Sequence, residues 1–355
     1  MESLFDKIQD HHHQNLPFVV YALPENDTIN ALFQKDNEVY SCHEFTDNGF
    51  VFAPFADKPT LFIPEAKSEA LQFTISERIS PIIISSEEND SEKKNYQALV
   101  NKAINLISRG GAQKIVTSRS KEIMMHGFDL SVVISRLFGL YPGAFRYVWH
   151  HPETGTWCGA TPEILLETYG KKFNTMALAG TQTFTACTEP KWTPKELNEQ
   201  EWVVEAITSR LEPFTSILKI SNTKNHRAGS LVHLRTDFEG VFNKEVGGLA
   251  HLARALHPTP AVCGTPREVA KDFILIHENY DRSYYTGFLG PINTVSGKSH
   301  LFVNLRCMKI SDQLAHLFAG GGITEDSQAE AEWEETQHKL QTMLQVLAPM
   351  LSNNN

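Results

Sequence analysis

Near the C-terminus the run AGGGITEDSQAEAEWEETQHKL, residues 319–340, places Glu332, Glu335 and Lys339 at helical spacing i, i+3 and i+7. Side chains at that spacing share one face of a helix. The face continues through Met343, Val346 and Met350, an apolar stripe that calls for burial. A neighbouring stripe of Trp333, Leu340, Leu344, Leu347 and Leu351 is apolar too. Two readings are open. Glu335 and Lys339 form a solvated i,i+4 pair worth ~0.3–0.5 kcal/mol, or an acidic face turns inward beside a glycine loop.

A second helix raises the same question. After Pro194, Glu201 stands between Leu197 and Val204, with Asn198 one turn earlier on the same side. An inward carboxylate is costly unless paired, and an arginine or backbone amides would satisfy it. Two helices that each aim a carboxylate inward would also suit Mg²⁺, which takes oxygen ligands and keeps several waters. Leu-Ala-Gly-Thr (178–181) and Ala-Gly-Gly-Gly-Ile (319–323) expose backbone N–H groups that could cradle an anion. Arg306, in a strand-like Val-Asn-Leu-Arg-Cys, carries the fork that matches a carboxylate.

The elements that must position these groups belong to a chain of 355 residues, 41% hydrophobic, 21% charged and with a formal charge of −10. That charge argues against nucleic acid or an anionic membrane as the main partner. Five cysteines (Cys42, Cys158, Cys187, Cys263, Cys307) show no Cys-x-x-Cys spacing, which fits a reduced compartment and no zinc site. The N-terminus lacks a signal-peptide core, and no apolar run approaches the ~20 residues of a membrane helix. A cytoplasmic location is expected. The triplet His11-His12-His13 reads as a solvated helix face.

Short strands punctuated by turns fill the first eighty residues, and a polar run at 85–94 then leads into a helix ending on Gly110-Gly111. A strand from Lys114, a helix at 129–140 and strands between 144 and 178 precede the long helix after Pro194. Beyond it come a strand pair at 217–243, helices at 247–256 and 266–279, three more strands and the final helix. Strands outnumber helices and seldom alternate singly with them. The expected fold is therefore α+β, a largely antiparallel sheet core covered by helices. Residues 1–355 are expected to form a single domain, with 1–84 its β-rich N-terminal part and 95–351 its core.

From Lys114 to Leu340 the order of segments resembles the chorismate-utilising enzymes, most of all isochorismate synthase. The motifs are Lys-Ile-Val-Thr-Ser-Arg (114–119), Gly-Ala-Thr-Pro-Glu (159–163), Leu-Ala-Gly-Thr (178–181) and the glutamate helix. They continue with Leu-His-Pro-Thr-Pro-Ala-Val-Cys-Gly-Thr-Pro-Arg (256–267), Asp-Arg-Ser-Tyr-Tyr-Thr-Gly-Phe-Leu-Gly (281–290), Val-Asn-Leu-Arg-Cys (303–307) and the run that begins at Ala319. The resemblance implies an Mg²⁺ ion held by Glu201 and Glu335, with Glu332 holding a metal-bound water. It implies that chorismate is bound by Gly180, Thr181, His257, Tyr285, Arg306, Gly322 and Lys339. It also implies a base, Lys114, that activates water to attack C2, and an acid, Glu163, that protonates the departing C4 hydroxyl.

Such chemistry needs a neutral lysine, its pKa brought from about 10.4 toward ~7–8, and a glutamic acid kept protonated by burial. Ala179 stands where aminodeoxychorismate-type enzymes carry a nucleophilic lysine, and Lys114 is typically absent from anthranilate-type ones. Three positions depart from the pattern: Trp202 follows Glu201 where the family has histidine, Asn198 replaces a commonly acidic residue, and Cys263 replaces a glycine. Rival readings are a salicylate synthase, which goes on to eliminate pyruvate, and a chorismate-binding protein without turnover. An unrelated phosphoryl-transfer enzyme finds no phosphate-loop motif here. A monomer is expected, its product feeding menaquinone or a siderophore.

Overall fold

The computed structural model describes residues 2–351 except 57, 75–76, 83, 85–88, 184–189, 229–230, 244–246 and 312. Two nine-stranded sheets, antiparallel at every pairing among the described residues, lie face to face with helices on the outside. The first runs Gly264–Thr265, Lys114–Met124, Leu314–Ile323, Cys307–Ser311, Gly155–Thr161, Phe145–His151, Phe18–Ala22, Thr28–Gln34, Ser68–Thr74. The second runs Thr215–Ile220, Leu231–Phe242, Lys172–Thr183, Ile164–Tyr169, Lys298–Val303, Phe288–Ile292, Gly49–Ala53, Leu61–Pro64, with Lys224–Ala228 added on Leu231–Phe242. The N-terminal strands thus extend both sheets, and the α+β expectation holds.

Strand alternation explains the layering. In Phe18–Ala22, Val19 and Tyr21 enter the core between the sheets, whereas Phe18, Val20 and Ala22 enter the core under the helices. With both faces covered, the strand is apolar throughout instead of alternating with polar residues. Aromatic side chains fill the inter-sheet core. Phe145 stacks on Phe302 at 4.1 Å, and Phe52 meets Tyr284 at 4.3 Å. The helices Leu130–Leu140 and Ala329–Leu347 cover the first sheet; Pro194–Leu211 and Leu249–Leu256 cover the second.

The histidine triplet departs from expectation. It closes the helix Glu2–His13, and of the three rings only His13 is exposed; His11 packs edge-on to Phe33 and His12 to His150. Apolar strand surface beneath the helix end draws these rings down. Among the described residues no cluster of His, Cys, Asp or Glu is gathered as a metal site. No helix among them is long and apolar enough to cross a membrane.

Candidate active site

Two of the short links that carry the chain between the sheets lie side by side, and both bear charge. Pro162 and Glu163 join Gly155–Thr161 of the first sheet to Ile164–Tyr169 of the second; residues 304–306 return from Lys298–Val303 to Cys307–Ser311. The links are stitched side by side: Thr161 Oγ1 donates to the Val303 carbonyl at 2.6 Å, and Val303 N to the Glu163 carbonyl at 3.0 Å. Ala160 N donates to the Arg306 carbonyl at 3.0 Å. Arg306 is therefore not within a strand, as its flanking sequence implied. It turns a corner at φ +47°, a strained value for a side-chain-bearing residue that neighbouring structure must hold in place.

Glu163 keeps some accessible surface but is so closely surrounded that desolvation pushes its carboxyl up to about 7, against the pull of Lys114 and Lys339. Arg306 donates to Thr342 Oγ1 at 3.3 Å. Burial lowers its pKa while nearby Tyr285 and Glu335 oppose that shift. Tyr285 stacks on Phe318 at 5.3 Å, and burial raises the pKa of its phenol.

Lys114 opens the strand Lys114–Met124, whose partner Leu314–Ile323 carries the three glycines in register: Gly320 faces Ser118, Gly321 Thr117 and Gly322 Val116. What these glycines provide is room for side chains. A Cβ at Gly322 would lie 2.7 Å from Lys114 Cε, one at Gly321 2.6 Å from Glu332 Oε2, and one at Gly320 3.2 Å from the Tyr285 hydroxyl. The run thus clears space for groups arriving from three elements. Its polar contact with the final helix is the Gly320 carbonyl, which accepts from Lys339 Nζ at 2.7 Å.

On the helix Pro194–Leu211, Glu201, the carboxylate expected to face inward, points to solvent. Thr193 donates from its backbone N and its Oγ1 to Glu196 Oε2, and this fixes the first turn. Gln200, Val203, Ile207 and Leu211 then form the buried face. Glu201 is exposed, as are Leu197 at 48% and Trp202 at 42%. Glu199 is the carboxylate that faces inward, its Oε1 2.7 Å from Lys114 Nζ. Leu197 and Val204 on either side of Glu201 gave the misleading stripe, since Leu197 is exposed and Val204 only half-buried. The spacing of Val203, Ile207 and Leu211 is what puts Glu199 on the inner face, and that signal lies in the sequence. The residue after the inward glutamate is accordingly Gln200, not Trp202.

On the final helix Lys339 holds Glu335 Oε1 at 2.6 Å, with Glu335 half exposed. Glu332 accepts from Ser327 Oγ at 2.8 Å, and its Oε2 is buried with no hydrogen-bond partner. Burial and the neighbouring Glu335 raise its pKa despite the Ser327 bond. Tyr96, missed in the sequence, brings its hydroxyl within 3.3 Å of Thr117 Oγ1 and 3.6 Å of the space above Gly321.

Two expected residues stand elsewhere, and one is placed only by its backbone. Gly180, at φ +64°, forms a bulge in Lys172–Thr183; a Cβ there would lie 3.3 Å from Glu196 Cβ, so it seats the glutamate helix. Thr181 pairs with His233 through its backbone, and its side chain is outside the described residues, as is Cys187. His257 packs between Phe55 and Phe288, with Nε2 2.9 Å from the Thr286 carbonyl, and burial lowers its pKa to about 4. It stands behind the turn that carries Tyr285, not among the carboxylates. Cys263 is a packed side chain, its thiol raised to about 11 by burial.

A buried ion pair braces the site. Arg282 donates to Glu278 Oε2 at 2.8 Å, to the Val116 carbonyl at 2.7 Å and to the Val262 carbonyl at 2.9 Å. Ser118 N and Oγ both donate to Glu278 Oε1 at 2.8 Å. The pair therefore ties the strand Lys114–Met124 to the turn before Tyr285. Removing one partner strands the other charge in the core, so Glu278→Ala should destabilise the fold by ~3–5 kcal/mol. Urea unfolding checks this; a loss below about 1 kcal/mol would show that the guanidinium finds other partners.

A family model described as chorismate binding enzyme matches residues 58–348. The isochorismate synthase EntC of Escherichia coli (strain K12) is 30% identical over 310 residues, covering 81% of this chain and 77% of its own. Among solved structures, the DhbC protein of Bacillus anthracis superposes with a TM-score of 0.77 at 25% identity, covering 97% of this chain and 99% of that one. MenF, the menaquinone-specific isochorismate synthase of E. coli, superposes at 0.76 over 93% of this chain and 88% of its own; at 20% identity it speaks for the fold.

Proposed function

The chain belongs to the chorismate-binding enzymes, and from that premise we infer that it converts chorismate to isochorismate. The observation that carries the reading is the convergence of Lys114 and a raised Glu163 beside Arg306 at the sheet crossovers. Chorismate is a dicarboxylate, and Arg306 and Lys339 supply cations to anchor it. Tyr285 supplies a hydroxyl at the same wall. Lys114 takes a proton from water as its oxygen bonds to C2. Both ring double bonds shift, C1=C2 to C1=C6 and C5=C6 to C4=C5, and the C4–O bond breaks as Glu163 gives its proton to the leaving hydroxyl. One water enters and one leaves, so the reaction is an isomerisation. As a base Lys114 must be neutral, which requires its pair with Glu199 to open.

The acidic groups fit a divalent cation by their chemistry. Glu199 and Glu335 come from separate helices, each paired with a lysine here, and the orphaned Glu332 Oε2 lacks the hydrogen-bond donor that a metal-bound water would provide. Mg²⁺ held by Glu199 and Glu335, with Glu332 behind it, would neutralise the carboxylates of substrate and protein. Glu199→Gln should raise the Mg²⁺ concentration for half-maximal activity by about tenfold or more. Glu201→Gln should leave that titration unchanged. Equal effects of the two substitutions would return the assignment to Glu201.

Chromatography of the products formed from chorismate and Mg²⁺ tests the whole reading. Chorismate and isochorismate alone are expected. Stoichiometric pyruvate and salicylate would move the chain to the salicylate synthases, and unchanged chorismate would leave a binding protein.

A further inference from the structure

Behind the turn that carries Tyr285 is a second cleft of about 340 Å³, within the range of small-molecule sites. Of the residues assigned above to chorismate or metal, only His257 lines it. Its floor is apolar and aromatic, from Phe55, Phe288 and the ring of His257, whose pKa of about 4 keeps it uncharged at neutral pH. Its rim is cationic. Arg254, Arg267, Lys271 and Lys58 reach it, against Glu268 as the acid among the described lining residues.

On a chain of formal charge −10, that local inversion of sign stands out. Arg267 is fixed across the rim, with Nη1 donating to the carbonyls of Ala255 and His257 at 3.1 and 3.2 Å and Nε to Glu268 at 3.3 Å. Arg254 reaches the His43 carbonyl and lies over the ring of Phe45 at 5.9 Å. Lys58 is paired with Asp281 at 2.7 Å. Cations arranged over an aromatic floor match a small ring that bears a carboxylate.

We propose that this cleft is an effector site for a ring-bearing carboxylate, separate from the chorismate site. Its route to the reaction is short. His257 Nε2 bonds the Thr286 carbonyl, one residue beyond Tyr285, and a ligand that shifts His257 therefore shifts the turn that holds Tyr285.

Calorimetric titration of the full-length protein with benzoate tests the proposal, because it needs no turnover and does not depend on the identity of the reaction. Benzoate is expected to bind with chorismate present at saturation. Arg254→Ala and Lys271→Ala should each weaken benzoate binding by about tenfold, with kcat/KM for chorismate unchanged in its absence. Acetate, which lacks the ring, should bind at least about tenfold more weakly than benzoate. Three results would overturn the assignment: no benzoate binding, benzoate displaced by chorismate and indifferent to both substitutions, or acetate binding as tightly as benzoate.

Discussion

Lys114→Ala is expected to lower kcat by ~10²–10⁴ while the protein still binds chorismate, because one general base is removed and the anchoring cations stay. The cations proposed to anchor chorismate, Arg306 and Lys339, do not depend on Lys114 for their contacts: Arg306 is held by Thr342, Lys339 by Gly320 and Glu335. The substitution also frees the space beside Gly322 and releases Glu199. Single-turnover rates together with the dissociation constant of chorismate separate the outcomes. A fall in affinity equal to the fall in rate would make Lys114 an anchor for substrate. Near-normal turnover would remove it from the chemistry altogether.

Glu163→Gln should produce a comparable loss, ~10²–10⁴ in kcat, since an amide of the same shape cannot donate the proton the leaving hydroxyl requires. The wild-type protein adds a pH test. Burial raises the Glu163 carboxyl from its ordinary value to about 7, so the competent, protonated form predominates below about 7 and is lost above it. kcat should fall through that region as pH rises, approaching a tenfold loss per pH unit well above the pKa. In Glu163→Gln the residual activity should lack that alkaline limb. A variant that keeps the limb would assign it to another group and leave Glu163 with a structural part.

Much of the site was legible in the sequence, and the failures have physical causes. The final helix could be read because Glu332, Glu335 and Lys339 continue into Met343 and Val346, so its period and its buried side point the same way. The helix after Pro194 carries two glutamates around Gln200, and Leu197 and Val204 offered a false apolar stripe two residues out of step. A surface leucine says little about which face is buried. Arg306 failed for another reason: the change from one sheet to the other leaves no mark in local hydropathy. Arg282 and Glu278 are of the same kind, since only the packing of three separate segments makes them a buried pair. The antiparallel core was inferred from the strand-rich pattern, whereas its division into two stacked sheets depends on contacts between distant strands.

The paired crossovers also set the limits of tolerated change in this scaffold. A link as short as Pro162-Glu163 has no slack, and side chains along a strand alternate from face to face. Inserting or deleting one residue there would invert the orientation of Ile164–Tyr169, exchanging its buried and exposed faces and losing the register with Lys298–Val303. Lineages built on this scaffold are therefore expected to vary the identities of residues at the crossovers while conserving their lengths. Insertions and deletions should accumulate instead at distant turns such as residues 293–297, where Val295 is 91% exposed.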